Sequence, residues 1–166
     1  MKEIEISKLK VDIVDLWMNQ WLLLTAGNQE EFNMMTVAWG SIGSMWSKPF
    51  AQIVVRPQRH TYQFLEKSDS FTLCAFPEEY RKDLETLGAI SGRDGDKLKK
   101  TKLTIRKSIK VAAPSYNEAS LILECRKMYC QDIDPKGFID PGIQSNYANR
   151  DYHRVYFGEI LGAFMK

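Results

Sequence analysis

Six short β-prone runs, separated by turn residues and joined by few helical stretches, limit this chain's possible folds more than any other feature. Trp21 to Ala26 is an apolar run stopped by the turn pair Gly27-Asn28. Met34 to Trp39 follows and ends at Gly40, and the β-branched run Gln52 to Val55 halts before Pro57. Ser70 to Phe76 places Phe71, Leu73 and Ala75 on one face at a period of two. In Leu121 to Arg126, Glu124 and Arg126 share one face, so Leu121, Leu123 and Cys125 should point inward. Val155 to Leu161 closes the series. Without regular strand–helix alternation, these runs predict an antiparallel barrel rather than a doubly wound sheet. The expected fold class is mainly β, a β-barrel with a few α-helices.

Two helices are expected. Pro77-Glu78-Glu79 opens one, because Pro suits the first helical position and the two carboxylates suit the positive end of the dipole. Tyr80, Leu84 and Leu87 then recur at helical spacing, with Gly88 as the stop. A shorter helix starts after Thr61, whose hydroxyl could cap it, with Phe64 and Leu65 turned inward. Ser91 to Lys97, with Gly92, Gly95 and two aspartates, reads as loop. No repeat, linker or low-complexity tract divides the 166 residues, so residues 1–166 are read as a single domain.

Several function classes drop out. A net charge of +2 without a basic stripe argues against a nucleic-acid partner. The start, Met-Lys-Glu-Ile-Glu-Ile, cannot be the apolar centre of a signal peptide, and the longest apolar run, near Trp21 to Leu24, is too short to span a bilayer. A cytoplasmic protein with no membrane contact is expected. Cys74, Cys125 and Cys130 form neither a zinc pattern nor a CxxC motif and read as small buried hydrophobes. With only His60 and His153, and with Asp94-Gly-Asp96 and Asp132-Ile-Asp134 lacking the rest of a calcium loop, no metal site is expected. Dinucleotide fingerprints, Walker loops, nucleophile elbows and zincin helices are absent.

Two stretches remain informative. In Arg56-Pro-Gln-Arg59-His60-Thr61, two guanidinium groups and a hydroxyl lie between a strand end and a helix start, a combination suited to phosphate oxygens. From chemistry alone, a pair of solvated surface arginines is the alternative. Ser91-Gly92-Arg93-Asp94-Gly95-Asp96-Lys97 adds a hydroxyl and two cations on a flexible loop, which by itself could be merely solvated.

The order of these motifs resembles a family. Asn33-Met-Met-Thr36-Val-Ala-Trp39, Pro49, Arg56 to Thr61, Phe71, Ser91-Gly92 with Asp96-Lys97, Pro114, Glu124-Cys125-Arg126, His153 and Gly158-Glu159 look like the flavin reductase-like, FMN-binding split-barrel proteins. The flavoredoxin branch is the most similar, and the resemblance runs from about Trp21 to Leu161. It implies that Thr36, Val37, Ala38 and Trp39 lie along the isoalloxazine ring, with backbone groups bonding its edge. Without the family, Trp39 would read as a core aromatic. It further implies that Arg56, Arg59 and Thr61 hold the ribityl phosphate, approached from the other loop by Ser91 and Lys97. Arg93 falls outside the matched motif and is expected to matter little. His153 would face the site and help place a nicotinamide, although a hydrogen-bonded surface histidine is the plain alternative. The family's sites lie at a homodimer interface, and the Pro-, Gly-, Asp- and Asn-rich stretch from Tyr129 to Asp151 could be a lid or a dimer arm.

The function so implied is an NAD(P)H-dependent flavin reductase, in which hydride passes from nicotinamide C4 to flavin N5. FMN is the cofactor, and flavin and nicotinamide nucleotides are the partners. Such chemistry needs no nucleophile from the protein, which fits the missing triad. The alternatives are an FMN-containing electron carrier with a redox partner protein, and a barrel serving as an interaction module without flavin.

Overall fold

The computed structural model describes residues 1–166. Its strands are β1 (Lys2–Ile4), β2 (Leu22–Gly27), β3 (Phe32–Val37), β4 (Gly40–Met45), β5 (Lys48–Val55), β6 (Ser70–Ala75), β7 (Ile105–Arg106), β8 (Ser115–Tyr116), β9 (Leu121–Asp132) and β10 (Arg154–Met165). The helices are the single turn α1 (Ile13–Asp15), α2 (His60–Lys67) and α3 (Arg81–Ala89). Eight strands form one antiparallel sheet in the order β3-β2-β6-β9-β10-β5-β4, with β1 added on β10; β7 and β8 pair separately.

The link between β3 and β4 turns this sheet into a barrel. The two strands lie at opposite ends of the strand order, yet only Ala38 and Trp39 separate them in the chain. Three Cα–Cα steps reach at most about 11 Å, so the two sheet edges must approach there. The edges do not pair, and the barrel stays split along that seam.

Two apolar layers hold the sheet. Leu22 and Leu24 of β2, Phe71, Leu73 and Ala75 of β6, and Leu121, Leu123 and Cys125 of β9 fill the barrel interior, as the period-two pattern requires. Leu23, Cys74 and Ile122 point the other way and are covered by Leu84 and Leu87 of α3 and by Tyr116. Strands buried on both faces read as continuous apolar runs, which is why these three stood out in the sequence. Each fully buried leucine contributes about 1.5–3 kcal/mol.

Several expectations are corrected. Glu124 is buried rather than solvent-facing, because the segment after β7 covers that face. Its carboxylate accepts the backbone N–H of Ile109 at 3.0 Å and of Lys110 at 2.5 Å. Cys74 and Cys125 are buried, and burial raises their thiol pKa values, but Cys130 is exposed because β9 runs past the barrel. Helix α2 starts at His60, and the Thr61 hydroxyl does not cap it but accepts from Asn33 Nδ2 at 2.7 Å. Leu65 is buried and Phe64 packs against the core, as expected. Gly88 lies inside the last turn of α3 instead of ending it. A Cβ there would sit 3.2 Å from Thr36 Cβ, so the glycine lets helix and strand approach closely.

Strand β4 and the start of β5 carried little sequence signal, being rich in Gly, Ser and Lys. Their hairpin turns at Trp46-Ser47, both with positive φ (53° and 58°), the conformation that two-residue hairpins favour. The Tyr129–Asp132 end of the presumed loop is strand, and the rest holds short 3-10 turns. No helix is long and apolar enough to cross a membrane.

Candidate functional site

The residues singled out above gather around two hollows that share Met35. The first, of about 220 Å³, is lined by Thr36, Val37, Ala38, Trp39, Arg56 and His153. The second, of about 200 Å³, is lined by Arg59, Thr61, Ser91 and Lys97, together with Asn33, Gln58, His60, Ile90, Gly92 and Arg93.

The first hollow lies at the split in the barrel. β3 ends the strand order, so one of its edges keeps backbone N–H and C=O groups with no strand partner. Thr36 and Val37 can offer only backbone here. The Thr36 hydroxyl donates to the Leu84 carbonyl at 2.5 Å, and the Val37 side chain packs into the barrel core. Trp39 is not a core aromatic: it is 48% exposed, and its ring lies 5.2 Å from that of His153. His153 is buried, and its Nδ1 lies 2.9 Å from the Tyr147 hydroxyl. Burial, aided by the Arg56 charge, pushes its pKa down to about 4, so the imidazole is neutral at ordinary pH.

Arg56 does not join Arg59. Its guanidinium pairs with Asp151, donates to the Asn146 carbonyl at 2.9 Å and lies over the Tyr147 ring at 5.2 Å. It follows directly on β5 and lines the first hollow, whereas Arg59 sits at the start of α2, around the turn.

The second hollow is cationic and uncompensated. Arg59 Nη2 donates to the Gly88 carbonyl at 2.6 Å. Lys97, only 4% exposed, donates from Nζ to the carbonyls of Leu87 at 2.9 Å and Ile90 at 3.2 Å. Both cations thus sit at the negative end of α3. No carboxylate lines the hollow. Burial lowers the pKa of Lys97 to about 8, with Arg59 adding to the shift, and burial also lowers that of Arg59. Two half-desolvated cations facing each other are stabilised by an anion.

Donors for such an anion converge. Thr61 Oγ1 already accepts from Asn33 and Ser91 Oγ accepts from Arg93 N at 3.2 Å, which leaves both hydroxyl protons free to donate. The Tyr62 N–H is taken by the Arg59 carbonyl, but those of His60 and Thr61, the first two of α2, have no intrahelical partner. A phosphate monoester matches this set of guanidinium, ammonium, hydroxyl and helix-end donors. Gly92 leaves room for the Asn33 side chain here: a Cβ would lie 2.2 Å from Asn33 Oδ1. The mostly apolar hollow and the cationic one lie side by side, joined at Met35.

The sequence from residue 18 to residue 163 matches the model of the flavin reductase like domain. The chain belongs to that family. Flavin reductase-like domains are a flavin-binding oxidoreductase family, and the solved structures similar to this one bear the fold out. An FMN-binding domain of a flavin reductase-like enzyme from Shewanella baltica superposes with a TM-score of 0.71 at 20% identity, over 99% of this chain and 76% of that one. Flavoredoxin from Methanosarcina acetivorans gives 0.68 at 20% identity, over 96% and 75%. An NADH:FAD oxidoreductase from Streptomyces globisporus gives 0.68 at 16%, over 89% and 76%. An uncharacterized Archaeoglobus fulgidus protein is 29% identical over 62% of this chain, and the chain spans 58% of its length.

Sequence reasoning missed Met35, Gln58, His60 and Tyr147. Met35 read only as one more strand residue. Tyr147 lies in the stretch that matched no motif. Arg93, set aside as outside the motif, lines the cationic hollow, with Nη1 donating to the Gln58 carbonyl at 3.0 Å.

Proposed function

We propose that this flavin reductase-like domain binds FMN across the two hollows and oxidises NAD(P)H with it. The uncompensated Arg59–Lys97 pair, opening beside an apolar hollow at the barrel split, carries this reading. Arg59, Lys97, Thr61 and Ser91 hold the terminal phosphate. The backbone of Thr36 to Ala38 bonds the ring edge, and Trp39 with His153 forms the wall against which a nicotinamide is placed. FMN held there would supply the hydride-accepting chemistry, and these residues would orient it and the nicotinamide. Arg56, tied to Asp151 and Asn146, fastens the 146–151 segment beside the ring hollow.

The assembly proposed is a homodimer, since twofold pairs are the commonest closed assembly. The exposed rings of Trp46 and Tyr129, packed around Phe157, are an apolar patch suited to a second copy. Mixing purified protein, FMN and NADH or NADPH while following nicotinamide absorbance tests the function. Tight FMN binding with no nicotinamide oxidation would instead make the chain an electron carrier with a redox partner protein. Absence of FMN binding would sink both.

A further inference from the structure

The His153 ring makes one hydrogen bond in the protein, and the chemistry of that partner decides which ring nitrogen carries the proton. The Tyr147 side chain is buried, and its hydroxyl makes one hydrogen bond, to His153 Nδ1 at 2.9 Å. A buried phenol has one proton to donate and needs an acceptor for it. Were Nδ1 protonated, it would be the donor, and the phenolic proton would be left without an acceptor. The phenol therefore donates, Nδ1 is bare, and the neutral ring carries its proton on Nε2.

Tyr147 cannot easily swing away. Phe138 stacks on its ring at 5.9 Å with planes 16° apart, Tyr152 packs at 4.9 Å, and Arg56 lies over it at 5.2 Å. The His153 backbone is held as well, because its carbonyl accepts from Ile133 N at 2.9 Å. Nε2 has no partner within the protein, and His153 forms the wall of the ring hollow facing Trp39.

We propose that Tyr147 is a positioning residue that locks His153 in the Nε2–H tautomer and presents that N–H to the ring hollow, as a donor for a carbonyl oxygen of the bound nucleotide. The identity of the acceptor, a nicotinamide carboxamide or flavin carbonyl, rests on the function proposed above; the tautomer does not. His153 is then a fixed donor and not a proton shuttle. The charged groups around it act in opposite directions: Arg56 disfavours the imidazolium, Asp151 favours it, and burial decides for the neutral ring.

The test uses nitrogen NMR of histidine-labelled protein without FMN at neutral pH. Only His60 and His153 contribute, so a His60→Gln variant assigns the signals. Wild type should show His153 with a protonated Nε2 and an unprotonated Nδ1. Tyr147→Phe, which keeps the stacked ring, should shift His153 to averaged signals of both tautomers. In the FMN-loaded protein the same variant should lower kcat about tenfold, the size of one neutral hydrogen bond. A wild-type Nδ1–H tautomer, or unaltered His153 shifts in Tyr147→Phe, overturns the proposal. The wild-type spectrum decides even if the variant fails to fold. A protein that binds no FMN sinks the function while leaving the tautomer readable.

Discussion

Arg59 and Lys97 reach the same helix end from two different loops: Arg59 donates to the Gly88 carbonyl at 2.6 Å and Lys97 to that of Leu87 at 2.9 Å. Helix α3 thus holds two cations close together with its C-terminal carbonyls, and no carboxylate in the hollow neutralises them. The phosphate-binding assignment rests on this arrangement.

Arg59→Ala should weaken FMN binding by about 1.5–3 kcal/mol, the range for a hydrogen bond to a charged group. That is roughly a tenfold to hundredfold rise in Kd. Arg59→Lys should recover only part, because a point charge lacks the fork that grips two oxygens. Arg93 lines the same hollow but is exposed, so Arg93→Ala should cost less than Arg59→Ala. Flavin fluorescence titrations read both, and riboflavin, lacking the phosphate, should bind more weakly than FMN. The reverse ranking of the two arginines would move the phosphate to the outer rim.

Lys97 ties FMN affinity to pH. In the free protein its ammonium is lost as pH rises through about 8, since burial and Arg59 favour the neutral amine. A bound phosphate favours the charged form, so binding above that pH should take up a proton and weaken progressively. Calorimetry in two buffers of different ionisation heat measures the uptake. Lys97→Met should remove the uptake and lower affinity at neutral pH. Equal FMN affinity at about pH 7 and pH 9 would show that Lys97 does not meet the phosphate.

Gly92→Ala should damage the site more than the fold. The added Cβ would fall 2.2 Å from Asn33 Oδ1 and 2.9 Å from His60 Cδ2, both ends of side chains that can move. Displacing Asn33 breaks its bond to Thr61, one of the proposed phosphate donors. We expect at least about a tenfold loss of FMN affinity, roughly one hydrogen bond, with little change in thermal midpoint. A variant that melts early yet binds FMN normally would contradict this.

His153 should make the fold acid-sensitive. Its folded pKa of about 4 lies below the ordinary value of 6.5, so the unfolded chain takes up a proton that the folded one refuses. Stability is full above about pH 6.5 and is lost as pH falls toward 4, by on the order of 2–3 kcal/mol. His60 is shifted in the same direction, so the comparison needs a His153→Gln variant, in which the loss should shrink. Denaturant midpoints between about pH 7 and pH 4.5 give the answer. An identical decline in wild type and variant would place the sensitivity elsewhere.

The sequence by itself determined six strands of the barrel and set cations and hydroxyls on the two loops. Phe71, Leu73 and Ala75 alternate because one sheet face fills the barrel, and that period survives any detail of packing. Arg59 and Thr61 stood out because a cation and a hydroxyl at a helix start are suited to phosphate, while Ser91 and Lys97 were joined to them only by the family resemblance. Strand β4 was hidden, since its Gly- and Ser-rich run is held by pairing with β5 rather than by its own propensity. The tertiary structure alone decided that Arg56 pairs with Asp151 while Arg59 faces the cationic hollow. Two arginines three residues apart have the same local chemistry; which one remains available depends on a carboxylate 95 residues away. Tyr147 reaches His153 in the same manner, through packing of a segment with no periodicity of its own to read.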